Sequence, residues 1–389
     1  MCVVAPHDDD HGTVENGIAQ FESQQSTASE CRRLALGFVI VICIALSWVG
    51  AVQLTKISYS EAFSAPLFLV WLGTSWMMTL FPVASAIYFL TAPHRFRNPE
   101  AALTYWRHCT HVFSPSGITF RSLLTSMVLF TSLWVGTNYS YSRALMYASA
   151  TDVATLTSSS SAFIVLLSIC ILKEPILILK ILAVLLSCGG IALFSYAEGF
   201  QPVQVVGVCL SLVSTIGIAM YKVLLKWRVG DASVYQMALF LSVIGAFNTV
   251  TLFPVVLLLH FTGVEILYHI PWNYVIWSSI LGVIFNFLIN FGIAYTYPLF
   301  ISLGTLLGIP INATIDALVH NIDLLNWKIP GAILIMIHPE ADKVAADYVM
   351  TTYLMQYKAY TLNQMSPYFY LVVARSGHFS WFAVCTLSE

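Results

Sequence analysis

What constrains this chain most is the recurrence of long apolar windows with almost no charge. From Val153 to Leu172 no acidic or basic side chain occurs, and similar windows return along most of the sequence. A helix needs about 20 residues to cross roughly 30 Å of hydrocarbon. Windows of that length predict spans near 34–55, 66–90, 122–142, 150–172, 177–197, 203–223, 235–261, 272–296 and 298–319. Pro298 suits the first turn of a helix, which is why the long run from Ile266 to Ile315 is divided there. Only 9% of the 389 residues are charged and 58% are hydrophobic. Soluble domains carry roughly a quarter charged residues. The expected fold class is therefore all-α, a polytopic membrane protein.

A tenth span starts in "NWKIPGAILIMIHPEADK" but turns polar at His338-Pro339-Glu340. Its apolar run from Ile329 covers only about 14 Å of helix. The later stretch "PYFYLVVARSGHFSWFAVCTL" carries Arg375 and His378, and an arginine at mid-span costs ~2.5–3.5 kcal/mol on insertion scales. The expectation is an incomplete or divergent tenth helix followed by a divergent tail over 339–389. Residues 1–33 form a polar, locally acidic tail with no cleavable signal pattern. With that tail in the cytosol, eleven of the 17 lysines and arginines fall on cytoplasmic ends and loops, the bias expected of an oriented bundle. The eight cysteines are scattered and show no metal-ligand spacing. His108-Cys-Thr-His111, in the cytosolic loop from Thr91 to Phe120, is too sparse for a metal site. No cofactor or metal is expected, and no nucleic-acid patch, Gly-rich phosphate cradle or catalytic constellation appears.

Two segments resemble each other. "NYSYSRALMYASATDVATLTSSSSAF" starts at Asn138 and "NFGIAYTYPLFISLGTLLGIPINATI" at Asn290, an offset of about 150 residues. Five spans per half place the two copies in opposite orientations, a pattern of secondary transporters with a site at the midplane. The halves are expected at 34–197 and 203–338, the second with its last helix truncated.

The motifs "NYSYSRAL", "SATDVATLTSSSSAFIVLLS", "LKEP", "GGIALFSY", "AMYKVLLKW" and "LGIPINATIDAL" carry a resemblance from about residue 34 to 337. The chain resembles the drug/metabolite transporter superfamily, and within it the F subgroup of the solute carrier 35 family. The resemblance implies a ten-helix, two-repeat fold and transport of a small solute. Some relatives in the subgroup are regarded as thiamine transporters, which implies an organic cation. The lysine motif of nucleotide-sugar relatives is absent, since "TYPLFISLGTLLG" has no basic residue.

Polar groups at membrane depth are the candidate substrate contacts. Asp152, Thr155 and Ser159 share one helix face at spacings of three and four. Asn312 and Asp316 are four apart, as are Asn286 and Asn290, and asparagines in hydrocarbon need partners. Asn138, Tyr141, Tyr221 and Tyr295 add amide and aromatic faces. Arg143 is the only basic residue between Arg121 and Lys173. Each has a packing alternative: hydroxyls that bond back to their own helix, Gly304 and Gly308 as a close-approach face, Arg143 reaching the headgroups or pairing with Asp152. Glu174 is expected to cap a turn before Pro175. Two aspartates with tyrosines and Trp134 suit a flat cation, whereas an anionic nucleotide needs several basic groups.

The leading reading is thus a carrier of a small organic solute, such as a cationic vitamin. The alternatives are a nucleotide-sugar-type transporter and a membrane protein that does not transport. An enzyme is the least supported class. The expected partners are the small-molecule solute and the lipid bilayer, with a second copy of the chain as a candidate homodimer partner. The membrane is either the plasma membrane or an endomembrane.

Overall fold

The computed structural model describes residues 37–60, 62–91, 99–113, 120–173, 178–198, 202–230, 232–295 and 298–319. Ten helices follow in order: α1 Gly37–Ser58, α2 Pro66–Leu90, α3 Pro99–Thr110, α4 Phe120–Tyr147, α5 Ala150–Leu172, α6 Ile178–Glu198, α7 Pro202–Val229, α8 Val234–Phe261, α9 Trp272–Tyr295 and α10 Pro298–Val319. The only β pairing among the described residues is one bridge between Ser60 and Phe63. Six of the helices, α1, α2, α5, α7, α8 and α9, are long and apolar enough to cross a membrane. The molecule is an all-α, multi-pass membrane protein. The expected tenth span, both tails and Glu174-Pro175 lie outside the described residues.

Small residues let the helices meet backbone to backbone. α7 packs along α4, where a Cβ on Gly217 would strike the Thr137 hydroxyl and one on Gly207 would lie 3.1 Å from Ala148 Cβ. Gly304 of α10 rests on Ile44 and the Val41 carbonyl of α1, and Gly308 one turn on meets Trp48. The Gly304/Gly308 pair is thus a close-approach face against α1. Outward, Phe38, Ile42, Leu185, Val213, Val250 and Trp277 present apolar surface of the kind lipid covers.

α2 is not continuous. It tightens into a 3₁₀ turn at Trp76–Thr79, just before Pro82, which has no N–H and crowds the carbonyl four residues back. Ser242 of α8 enters the gap: its hydroxyl donates to the Met77 carbonyl at 3.1 Å and accepts from the Phe81 N–H at 2.7 Å. These are the two groups that an unbroken α-helix would join to each other. Gly245, one turn along α8, allows the approach; a Cβ there would lie 2.7 Å from Met78 N and 2.9 Å from Thr74 O. Asn248 continues the same face and donates to the Trp71 carbonyl at 3.1 Å.

α3 occupies the segment expected as plain loop. It begins at a proline, carries Glu100 in its first turn, and ends with Arg107 and His108, the charge order favoured by the helix dipole. Tyr105 buries itself against Tyr88, ring centroids 4.4 Å apart, and bonds Ser85 at 3.0 Å. His108 is engaged at the start of α8, its ring 3.2 Å from Ser233 and its carbonyl accepting from Gln236 at 2.9 Å. The histidine pair therefore belongs to a docked helix, and among the described residues no three histidine, cysteine, aspartate or glutamate side chains group together as metal ligands.

Candidate functional cavity

A cavity of about 140 Å³ opens where α1, α2, α4 and α9 meet. Its wall is built from aromatic faces (Trp48, Trp134, Tyr141, Phe285), hydroxyls (Thr55, Thr74, Ser142, Ser278, Ser279) and two carboxamides (Asn138, Asn286), and no charged side chain lines it. The 3₁₀ turn of α2 contributes Met77. Trp48 is tilted against both Tyr141 (5.7 Å between centroids) and Phe285 (4.6 Å). Trp134 is held by its indole N–H, which donates to Thr74 Oγ1 at 3.1 Å.

The two asparagines are positioned alike. Asn138 donates to the Trp134 carbonyl and Asn286 to the Gly282 carbonyl, each four residues back and each at 2.8 Å. A carboxamide that bonds its own helix is tolerated in an apolar wall. Ser278 and Ser279 likewise bond the Val275 carbonyl. The Tyr141 hydroxyl differs: it is buried and has no hydrogen-bond partner.

The structure places three of the sequence-derived candidates, Asn138, Tyr141 and Asn286, on this cavity. Tyr221 lies behind the wall, edge-on to Trp134 at 5.3 Å, its hydroxyl unpartnered. Arg143 stands apart from the cavity; it bonds Tyr147 Oη at 3.1 Å and lies over that ring. The side chains of Asn290 and Tyr295 lie outside the described residues. Ser159 is buried and donates to the Leu156 carbonyl at 2.6 Å, at the point where α5 is interrupted. Its neighbours Thr157, Ser158 and Ser161 also bond carbonyls three or four residues back. These four hydroxyls are thus satisfied by their own helix in an apolar setting.

Asn312 and Asp316 meet Gln53 and Thr151 at a second polar junction, with Asp152 next to Thr151 in the first turn of α5 and Thr155 one turn further along. Asp152 forms a capping box with Ser149: each accepts the backbone N–H of the other, at 3.2 and 3.0 Å. This closes the first turn of α5 only two residues after α4 ends. Asp316 of α10 takes Thr151 N at 2.8 Å and Thr151 Oγ1 at 2.5 Å, while Gln53 of α1 donates to both Asp316 at 3.1 Å and Asn312 at 3.0 Å. Thr155 is fully buried and makes no hydrogen bond with its hydroxyl.

Sequence reasoning missed Gln53, Trp48, Thr74, Ser278, Ser279 and Phe285. It also missed Glu265, in the link between α8 and α9, whose carboxylate accepts the N–H groups of Leu67 and Phe68 at the start of α2. Burial pushes that carboxyl up from the ordinary value, against the opposing pull of the two N–H groups and of Arg143. The one available signal was a lone acid in an otherwise apolar link.

The chain is 34% identical to human solute carrier family 35 member F3 over 308 residues, which span 78% of this chain and 72% of that one. It belongs to the solute carrier 35 family, F subgroup. Mouse solute carrier family 35 member F4 is 32% identical over 340 residues, 85% of this chain and 68% of that one. The thiamine-repressible mitochondrial transport protein THI74 of Saccharomyces cerevisiae is 23% identical over 333 residues, 78% of this chain and 90% of that one. No family model matches the chain. As a solute carrier with six membrane-length apolar helices, it is a multi-pass membrane transporter.

Proposed function

We propose that this solute carrier moves a small organic solute, cationic or neutral and of the thiamine type, by alternating access around the cavity between α1, α2, α4 and α9. The observation that carries this is the wall itself: aromatic faces, hydroxyls and carboxamides, with no basic side chain. Indole and phenol faces attract a flat cation, and hydroxyls and amides orient its polar groups. A nucleotide sugar brings a diphosphate, which calls for arginine or lysine forks; none lines this cavity. The yeast relative's name ties that transport protein to thiamine through its repression by the vitamin.

The two halves, 34–197 and 203–338, are read as inverted copies. In support, α4 packs on α7 and α1 on α9, the same relation once per half. α2 meets α8 and α5 meets α10, each pair being counterparts across the halves. In that alignment Asn138 corresponds to Asn290, one helical turn beyond Asn286 on α9.

The test is thiamine counterflow in proteoliposomes. Tyr141→Phe is the informative variant, because it deletes a buried hydroxyl that bonds nothing in the protein. A hydrogen bond to the solute is worth about 0.5–1.5 kcal/mol, so half-saturation should rise by roughly 2- to 13-fold with the melting temperature unchanged or higher. Absence of saturable thiamine exchange, with exchange of a nucleotide sugar instead, would refute the substrate class. Exchange of neither would favour a non-transporting protein.

A further inference from the structure

Where α1, α5 and α10 meet, a buried carboxylate is held by neutral donors. Asp316 is 0% exposed. Its three partners, Gln53 Nε2, Thr151 N and Thr151 Oγ1, are all neutral donors, and together they occupy both carboxylate oxygens. Among the described residues no lysine, arginine or histidine pairs with it. The first turn of α5 offers Asp316 the positive end of a helix dipole, but a buried carboxylate that faces only neutral donors remains unfavourable.

Two further atoms at this junction have no partner, the acceptor Gln53 Oε1 and the donor Asn312 Nδ2, and so does Thr155 Oγ1, one helical turn along α5 from Thr151. Gln53 is 5% exposed, Thr155 and Asn312 0%. The carboxamide of Gln53 is oriented by its two donations, to Asn312 and Asp316, so its oxygen is left over for something else. Thr155 follows Thr151 by one helical turn and Asn312 precedes Asp316 by one. In the inverted-repeat reading α5 and α10 run in opposite senses, and the contact of Thr151 with Asp316 then brings Thr155 and Asn312 to one depth. Yet they do not bond each other. Unpartnered buried polar atoms are rare in folded proteins and call for an occupant.

We propose that this junction is a binding site for one sodium-sized monovalent cation, held by oxygens of Asp316, Thr155 and Gln53 and coupled to movement of α10 against α1 and α5. The inference rests on the carrier reading above. A single carboxylate matches a single positive charge, whereas calcium sites gather more oxygens and more negative charge. Donors already face both oxygens of Asp316, the pattern of an acceptor-only carboxylate, so the balancing charge fits beside the group better than on it. The three helices come from both halves of the chain, so an ion bound here stabilises the arrangement in which α10 is closed against α1 and α5.

The experiment needs no substrate. The melting temperature of the full chain in lipid nanodiscs is followed as NaCl replaces N-methylglucamine chloride at constant ionic strength and pH. Potassium forms a second series and acidification without sodium a third. Sodium near tenfold its dissociation constant should raise the melting temperature by about 2 °C. Thr155→Val should weaken the sodium response at least about fivefold in midpoint concentration without lowering the sodium-free melting temperature, since that hydroxyl bonds nothing. Asp316→Asn should abolish the response, and Glu265→Gln should keep it. The proposal is overturned if no cation stabilises the protein, if acid alone does, or if Thr155→Val leaves the sodium midpoint unchanged. Thiamine counterflow across vesicles with equal sodium on both sides needs no ion gradient. Intact counterflow without a sodium response sinks the ion site alone, whereas lost counterflow in the wild type sinks the carrier reading.

Discussion

Replacing Gly245 by alanine tests whether α8 truly rests on the backbone of α2. The added Cβ would lie 2.7 Å from Met78 N, 2.9 Å from Thr74 O and 3.1 Å from Met77 C. Ordinary contacts begin near 3.4 Å, and the atoms struck are main chain, so no side chain can swing aside. α8 must withdraw by roughly half an ångström or more. Overpacking of this kind costs about 1–3 kcal/mol. Withdrawal also stretches the bonds that Ser242 and Asn248 make from the same face, each worth about 1 kcal/mol. With all three bonds lost the sum is about 4–6 kcal/mol, or roughly 5–7 °C in melting temperature for a chain of this length. Gly189→Ala is the matched control: nothing lies within 4 Å of a Cβ there, and alanine in a helix is favoured over glycine by about 0.5–1 kcal/mol. Both variants would be purified in one detergent and melted by intrinsic fluorescence. Because Thr74 and Met77 also line the cavity, Gly245→Ala should lose counterflow as well. Equal melting temperatures for the two variants would refute the backbone contact and the account of the break in α2 built on it.

Two other outcomes are expected. Ser242→Ala should cost about 1–3 kcal/mol, read as a lower melting temperature, because Met77 O and Phe81 N lose their shared partner; a variant as stable as wild type would mean that the helix closes the gap unaided. Glu265 has its carboxyl pushed up by burial, so the folded state holds that proton more tightly than the unfolded chain does, and stability present at low pH is lost as pH climbs through the raised value. Glu265→Gln, which keeps an acceptor for Leu67 N, should flatten the fall in melting temperature above the ordinary value of 4.5; an unchanged pH profile would count against this assignment.

The spans were legible because hydrocarbon thickness sets their length. The described helices start and end within a few residues of the apolar windows, and α10 does begin at Pro298. α4 runs further than its window, to Tyr147, because Arg143 lies inside the helix rather than at its end. α3 escaped notice because its composition is mixed and its apolar face is short. Asn138, Tyr141 and Asn286 stood out as polar groups in apolar runs, and they meet at one cavity. Spacing along one helix could not tell which of its polar groups face that cavity and which tie helix to helix. The Ser149-x-x-Asp152 spacing, with its reciprocal backbone bonds, is a capping pattern. Gln53 was the unread clue, a single amide in the first apolar run, and its importance emerges only from partners more than 250 residues away.

The serine wedged into α2 also bears on how that span can move. A fracture in a lipid-embedded rod ordinarily leaves bare amide groups that resist any change of angle, since hydrocarbon offers them no substitute partner. Here one rotatable hydroxyl, supplied from outside, serves both sides of the fracture. It can follow small changes in bend without releasing either side. The upper and lower segments of α2 can therefore pivot about Trp76–Thr79 at little cost so long as α8 travels with them, which makes the pair a single articulated arm rather than two independent struts.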